Sequence, residues 1–197
     1  MDIFLWMNKL DSQLLLLVNG MHTPTLDTAM WIISDKWVWV PLYLLLTTAV
    51  VRRFGARQGA ILIALIDVII TLSDQTCASV LRPTLCRLRP SSPENPISQM
   101  LHFVNGYHGG RYGFPSCHAA NTFALAVFIS MLFRRSHVTT GMLLWSLTVS
   151  FSRIYLGVHY PGDIIGGFII GGTVAWICYQ PIKRKMRNGS RHDFIFT

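Results

Sequence analysis

Long apolar runs constrain this chain more than any other feature. They cover roughly residues 26–51, 60–80, 116–133, 138–151 and 161–180. A soluble amphipathic helix interleaves polar residues every three or four positions, whereas about twenty mostly apolar residues in a row match the ~30 Å hydrocarbon core of a bilayer. Composition agrees: 51% of the 197 residues are hydrophobic and 13% are charged, too little charge to cover a soluble surface. The expected fold class is all-α, a polytopic transmembrane helix bundle of five or six spans.

The uncertain span is the first. Residues 3–19 read as an amphipathic helix, but Lys9 and Asp11 near its middle favour a helix lying in the interface, with a sixth span as the alternative. The run at 26–51 is interrupted by Ser34-Asp35-Lys36, which predicts a tilted span or one that begins as an interfacial piece. The expected organisation is an interfacial helix over 1–24, a membrane-embedded domain over 25–182 and a basic cytoplasmic tail over 183–197. The N-terminus lacks a basic segment followed by an apolar core and a small-residue cleavage site, so no cleaved signal is expected. Only one loop is long, residues 81–114, rich in Arg, Pro, Gly and Ser, and long loops on compact scaffolds are often functional.

The formal net charge is +8. In a membrane chain such an excess first sets topology, so nucleic acid is not an expected partner. Ten of the 17 Lys and Arg residues fall beside span ends on one side: Arg52, Arg53, Arg57, Arg134, Arg135, Lys183, Arg184, Lys185, Arg187 and Arg191. That side is expected in the cytoplasm and the long loop outside. The four cysteines form no C-x-x-C pair and read as unpaired, Cys86 and Cys117 being the two placed to approach each other on one side. There is no G-x-x-x-x-G-K-[ST] sequence, which removes nucleotide hydrolysis by that route.

Three clusters fall at the loop end of the spans. They are Arg82-Pro-Thr-Leu-Cys-Arg-Leu-Arg89-Pro90, then Pro115-Ser116-Cys117-His118, then Ser152-Arg153 followed by His159 and Asp163. Helices leaving and re-entering on one side bring such clusters together. Arg82, Arg89 and Arg153 would then offer planar, permanently charged donors to a multiply charged anion. Ser116 stands at an N-cap position, where free backbone N–H groups favour anions. Pro161 suits the first turn of the next helix, placing Asp163 to reach back to His159, fix its tautomer and sharpen its other nitrogen as a nucleophile. His118 is then placed as the acid for the leaving oxygen.

These residues, in this order, resemble the type 2 phosphatidic acid phosphatase superfamily, whose boxes are K-x6-R-P, P-S-G-H and S-R-x5-H-x3-D. The resemblance covers about residues 60–180. It implies hydrolysis through a phosphohistidine, with no metal and no other cofactor. His159 would attack phosphorus, Asp163 orient it and His118 protonate the departing group. Arg82, Arg89, Arg153, Ser116 and backbone N–H groups that include Cys117 would hold the phosphoryl oxygens. Two positions depart from the pattern. Arg82 replaces Lys, keeping charge but changing fork geometry. Cys117 replaces Gly, adding a side chain where backbone approaches phosphate.

Other polar residues receive plainer readings. His22, His102, His108, His137 and His192 are taken as structural. Arg87 and Arg111 are either solvated loop charges or substrate contacts. Asp67 and Asp74 share one helical face, and a structural polar contact is the favoured reading for both, above all for Asp67. The glycines from Gly162 to Gly172 read as close helix packing. The implied partner is a membrane lipid with a phosphate headgroup, and the implied location a bacterial inner membrane with the site facing the periplasm. Four lipids fit: a polyprenyl diphosphate, ranked narrowly first because its recycling needs an outward site, phosphatidylglycerol phosphate, phosphatidate and a lipid A phosphate. A lipid-phosphate binder or transporter without turnover is the alternative, although neither inverted repeats nor broken mid-membrane helices are visible. Vanadate-dependent oxidation, known from soluble relatives, suits so hydrophobic a chain poorly.

Overall fold

The computed structural model describes residues 3–188, so Arg191, His192 and the end of the basic tail lie outside the described residues. Helix α1 spans Ile3–Asn19 and α2 spans Pro24–Ser34. Thr23 starts α2, its side-chain oxygen accepting the N–H of Leu26 at 3.2 Å, with Pro24 in the first turn. Asp35 ends α2 and caps a 3-10 turn, Lys36–Trp39, that leads into α3 (Val40–Phe54). The two halves meet at 66°. The apolar run read as one interrupted segment is therefore two helices, bent where Asp35 turns its carboxylate to a new N-terminus.

Gly55, at φ +80°, turns α3 into α4 (Ala56–Gln75). A π turn at Thr76–Leu81 and one further α turn, α5 (Arg82–Leu85), carry the same rod on to Leu85. The loop thus begins at Cys86, not at residue 81 as the composition of 81–114 implied. Pro83, which has no N–H to donate, stands where the π turn passes into the short α5, near the end of the rod. Helices α6 (Cys117–Phe133), α7 (Ser136–Tyr155) and α8 (Pro161–Asn188) complete the bundle. α8 runs past Gln180 and through Pro181, so the basic segment from Lys183 begins as helix.

No β-strand occurs among the described residues, only an isolated antiparallel bridge between Leu88 and Tyr112. α6 is the hub, packing on α4, α7 and α8. Its buried residues include Ala124, Leu125, Phe128 and Ile129, and they meet Val50, Ile69, Trp145, Ala175 and Tyr179 in the main core. An all-round apolar helix of this kind is buried by its neighbours. Among the described residues, two helices, Ala56–Leu85 and Pro161–Lys185, are long and apolar enough to cross a bilayer, and the bent α2–α3 pair is a third candidate.

Glycines allow the closest contact in the bundle. A Cβ on Gly167 would stand 2.6 Å from the carbonyl oxygen of Ser116, and one on Gly171 2.1 Å from that of Ala120. The glycine series is thus a packing face of α8 against α6, as the sequence reading had it.

Candidate active site

The C-terminal end of α5, the N-termini of α6 and α8 and the C-terminus of α7 all open at the same end of the bundle, under the loop 86–115. This loop folds back on itself. Arg89 N–H donates to Arg111 O and Gly113 N–H to Arg87 O, both at 2.9 Å, around the Leu88–Tyr112 bridge. Alternation along this extended piece puts Arg87 and Arg89 on one face.

His159 and Asp163 are completely buried. The imidazole Nδ1 faces Asp163 Oδ2 at 3.3 Å, the same oxygen accepts the N–H of Tyr160 at 3.0 Å, and Asp163 N–H bonds Tyr160 O. A carboxylate acceptor assigns the proton to Nδ1, which leaves Nε2 as the lone-pair nitrogen. Burial first, then the nearby guanidiniums of Arg89, Arg153 and Arg82, hold the His159 pKa well below 6.5. The ring is therefore neutral at pH 7 with Nε2 unprotonated. His118, in the first turn of α6, lies within electrostatic reach of Arg153, His159, Arg89 and Arg82.

The three arginines are held by the protein on one side only. Arg82 forks onto Pro115 O with Nε and Nη2, each at 3.2 Å. Arg89 donates Nε to Tyr112 O at 3.0 Å. Arg153 donates Nη1 to Ser34 Oγ and Nη2 to Tyr107 OH, the latter at 3.1 Å. What remains is telling: Arg89 Nη1, Arg153 Nε and His159 Nε2 are buried and have no partner among the described residues. Orphaned buried nitrogens cost on the order of 1–3 kcal/mol each, and two donors beside one lone pair fit an anion with an electrophilic centre. Crowding has a second mark, since burial and the neighbouring Arg82 and Arg153 push the Arg89 pKa down to about 10.

Ser116 is the N-cap of α6, its Oγ accepting the Ala119 N–H at 3.4 Å, while its own N–H donates to Asp163 O at 3.0 Å. It ties the two histidine-bearing helix starts together. Cys117 turns its sulfur toward α4, 4.0 Å from Asp74 O, and packs with Cys77 and Ala120. The side chain that departs from the family pattern is absorbed by α4. The cysteine that meets Cys117 is Cys77, not Cys86, which is exposed.

From the arginines a cavity of about 740 Å³ extends between α3, α4, α6 and α7. Ile63, Ile66, Ile70 and Leu125 give it apolar walls, and Asp67, Asp74, Asn121 and Thr122 add a polar stripe. Asp74 accepts from Asn121 Nδ2 at 3.0 Å, the helix-to-helix contact expected of it. Asp67 faces the cavity and has no such partner among the described residues, contrary to its sequence reading.

Sequence reasoning missed the support of this site. Arg87 donates Nη1 to Asp163 Oδ1 at 2.8 Å and Nη2 to Asp11 Oδ2 at 2.5 Å. Asp11 also accepts the N–H of Gly162 at 2.7 Å. Arg111, by contrast, pairs with Glu94 on the surface. The one sequence signal was Asp11 in the middle of an amphipathic helix, an acid that needs a partner if its face is packed. Among the histidines read as structural, His102 bonds Asp27 at 2.8 Å and stacks on His22, and His108 bonds Ser91 O.

A family model described as the PAP2 superfamily matches residues 60–187. The lipid A 4'-phosphatase of Bacteroides thetaiotaomicron is 45% identical over 174 residues, spanning 88% of this chain and 77% of that protein. The lipid A 4'-phosphatase of Porphyromonas gingivalis is 33% identical over 174 residues, 87% of this chain and 72% of that one. Among solved structures, a transmembrane PAP2 type phosphatidylglycerolphosphate phosphatase from Bacillus subtilis aligns with a TM-score of 0.69 at 19% identity, covering 93% of this chain and 89% of that one. At that identity the match speaks for the fold alone.

Proposed function

The chain belongs to the PAP2 superfamily of membrane lipid phosphatases, and from that premise we propose that it removes a phosphate from the sugar headgroup of a lipid A-type glycolipid through a phosphohistidine on His159. The observation that carries the chemistry is the set of partnerless buried nitrogens, Arg89 Nη1, Arg153 Nε and His159 Nε2. The phosphoryl group sits against Arg82, Arg89, Arg153, the hydroxyl proton of Ser116 and the free N–H groups of Cys117 and His118 at the start of α6. His159 Nε2 attacks phosphorus in line with the sugar oxygen. Asp163 keeps the Nδ1 proton in place and balances the positive charge that builds on the ring. As the P–O bond breaks, His118 gives its proton to the departing sugar oxygen, which leaves as a hydroxyl. It then takes one from water, which attacks the phosphohistidine and releases inorganic phosphate. Three guanidiniums supply the charge neutralisation that phosphoryl transfer requires.

The substrate choice rests on two supports. Relatives named for lipid A 4'-phosphatase activity run along most of the chain. The polar stripe of Asp67, Asp74, Asn121 and Thr122 suits hydroxyl and amide groups of an acylated sugar better than a bare prenyl chain. Together they move the first choice away from a polyprenyl diphosphate. As for placement, α3, α4, α6, α7 and α8 are taken to cross the membrane, making five spans. Arg52, Arg53, Arg57, Arg134, Arg135 and Lys183–Lys185 cap the cytoplasmic end, so the site faces the periplasmic side of the inner membrane. α1 lies in that outer interface, because Asp11 meets Gly162 and Asn19 meets Tyr155 O and His102 O, both at the site end. Trp6, Met7, Leu10, Leu14 and Leu17 point the other way, exposed toward lipid.

The test is phosphate release in detergent with EDTA from lipid A, undecaprenyl diphosphate, phosphatidylglycerol phosphate and phosphatidate. Lipid A should turn over at least tenfold faster than the others, and His159→Ala should be silent. Preference for the prenyl diphosphate would refute the substrate assignment, and binding of lipid A without release would leave a lipid-phosphate binder.

A further inference from the structure

Helix α1 lies outside the family match, which begins at residue 60. It nevertheless reaches the reacting end of the molecule. Asp11 sits on its packed face and is bound twice, by Gly162 N–H at 2.7 Å and by Arg87 Nη2 at 2.5 Å. Arg87 continues the line with Nη1 on Asp163 Oδ1 at 2.8 Å, its guanidinium 4.3 Å from the Tyr160 ring centroid. Asp163 uses its other oxygen for His159 Nδ1. Carboxylate, guanidinium, carboxylate and imidazole thus form one unbroken chain across three segments.

Each link has a physical reason. Asp163 is wholly buried, and an ionised carboxylate in such a place needs a full counter-charge. The imidazole beside it is neutral before attack and cannot supply one. Arg87 can, and its donation to Oδ1 leaves Oδ2 free to aim the His159 ring. A long, partly exposed arginine side chain would not hold that pose alone, since it has rotamer freedom to lose. Asp11 fixes it with a second charged contact. Asp11 also takes an N–H of the first turn of α8, one residue before Asp163, and so anchors the backbone that carries the orienting acid.

We propose that Asp11 and Arg87 are positioning residues for the Asp163–His159 couple, so that the N-terminal helix is a working part of the active site. Arg87 is not a phosphate ligand here: both of its Nη atoms are engaged by carboxylates, whereas Arg89 and Arg153 keep buried donors without partners. The proposal rests on the phosphatase reading above.

Full-length protein in detergent tests it with Asp11→Asn, Arg87→Met, Arg87→Lys and the Asp11→Asn/Arg87→Met pair, rates being scaled to the folded fraction from size exclusion and thermal melting. Arg87→Met should lower kcat ten- to a hundredfold with KM within threefold, the loss expected from a misaimed reacting group. Arg87→Lys should recover part of it, and Asp11→Asn should give a smaller loss. The double variant should be no worse than Arg87→Met, because both act on one chain. The acid limb of kcat/KM should move to higher pH in Arg87→Met. Asp163 then faces only Arg89, Tyr160 and His159, and His159 faces Arg82, Arg89, Arg153 and His118. A rise in KM at constant kcat would make Arg87 a substrate ligand and overturn the proposal. So would wild-type kcat and acid limb per folded molecule, or losses that multiply in the double variant. A wild type that releases no phosphate overturns the phosphatase reading and this proposal with it, whereas an active wild type beside unaffected variants overturns this proposal alone.

Discussion

In the proposed mechanism His159 has to be neutral to attack and charged once it has attacked, and its surroundings suit both halves of that cycle. Burial and three guanidiniums oppose the proton on the resting ring, while Asp163 stands ready to balance the charge of the phosphohistidine. The same arrangement has a consequence for stability. The pKa of His159 is lower in the folded chain than its ordinary 6.5, so between those two values the unfolded chain binds a proton that the folded chain does not. The contribution is full above pH 6.5 and is lost as pH falls from there toward the folded pKa. The melting temperature in detergent should therefore drop between pH 7 and pH 5 by more in the wild type than in His159→Gln, and equal drops would contradict the pKa assignment. At this scale legibility followed sequence distance. The His159–Asp163 contact lies within one helical turn and could be read from spacing, as could the Ser116 cap. Arg87 to Asp163 spans 76 residues and Arg87 to Asp11 also 76, and no local pattern announces such pairs. The sulfur of Cys117, feared as an intruder on the phosphate, turned to α4 for the same non-local reason.

Among the elements, the α6–α8 contact sets the geometry of the site, because it fixes the helix start that carries His118 beside the one that follows His159. Gly167 and Gly171 let the two backbones touch, and Ser116 N–H to Asp163 O closes the seam at the top. Gly171→Val places branched carbon where even a Cβ would stand 2.1 Å from the Ala120 carbonyl oxygen, backbone that cannot swing aside. Overpacking of this kind costs about 1–3 kcal/mol, and the thermal midpoint should fall with activity falling alongside. An unchanged midpoint would mean the helices part without penalty. The glycine run was legible as a packing face from spacing alone. Helix ends were less so: the polar loop was expected to begin at residue 81, but a π turn at that point resets the hydrogen bonding and carries α4 on into α5. Asp35 broke the first apolar run more sharply than its interruption implied, since it caps the turn that follows.

For the molecule as a whole, the two ends carry different kinds of positive charge. At one end Arg52, Arg53, Arg134 and Arg135 close helices in short turns, and at the other Arg82, Arg89 and Arg153 converge on a buried site. In the proposed reading the first kind sets orientation and the second binds substrate, a division the sequence suggested once the three boxes were placed. The span count was less visible, because α6 is a 17-residue apolar helix buried by its neighbours, shorter than a helix that crosses a bilayer facing lipid. Cys86 offers a handle on orientation, being exposed in the site loop while Cys77 and Cys117 are buried. In spheroplasts, a variant retaining Cys86 alone should react with a membrane-impermeant maleimide, and reaction only after permeabilisation would turn the molecule over.

Trapping the phosphorylated enzyme asks the central question directly. Lipid A carrying ³²P at the 4' position, mixed with wild-type enzyme and quenched in alkali within the first turnover, should leave label on the protein, stable to base, lost in acid and mapped to the peptide containing His159. The label should fade as inorganic phosphate appears, and His159→Ala should show none. Label on another residue, or turnover by His159→Ala, would contradict the account.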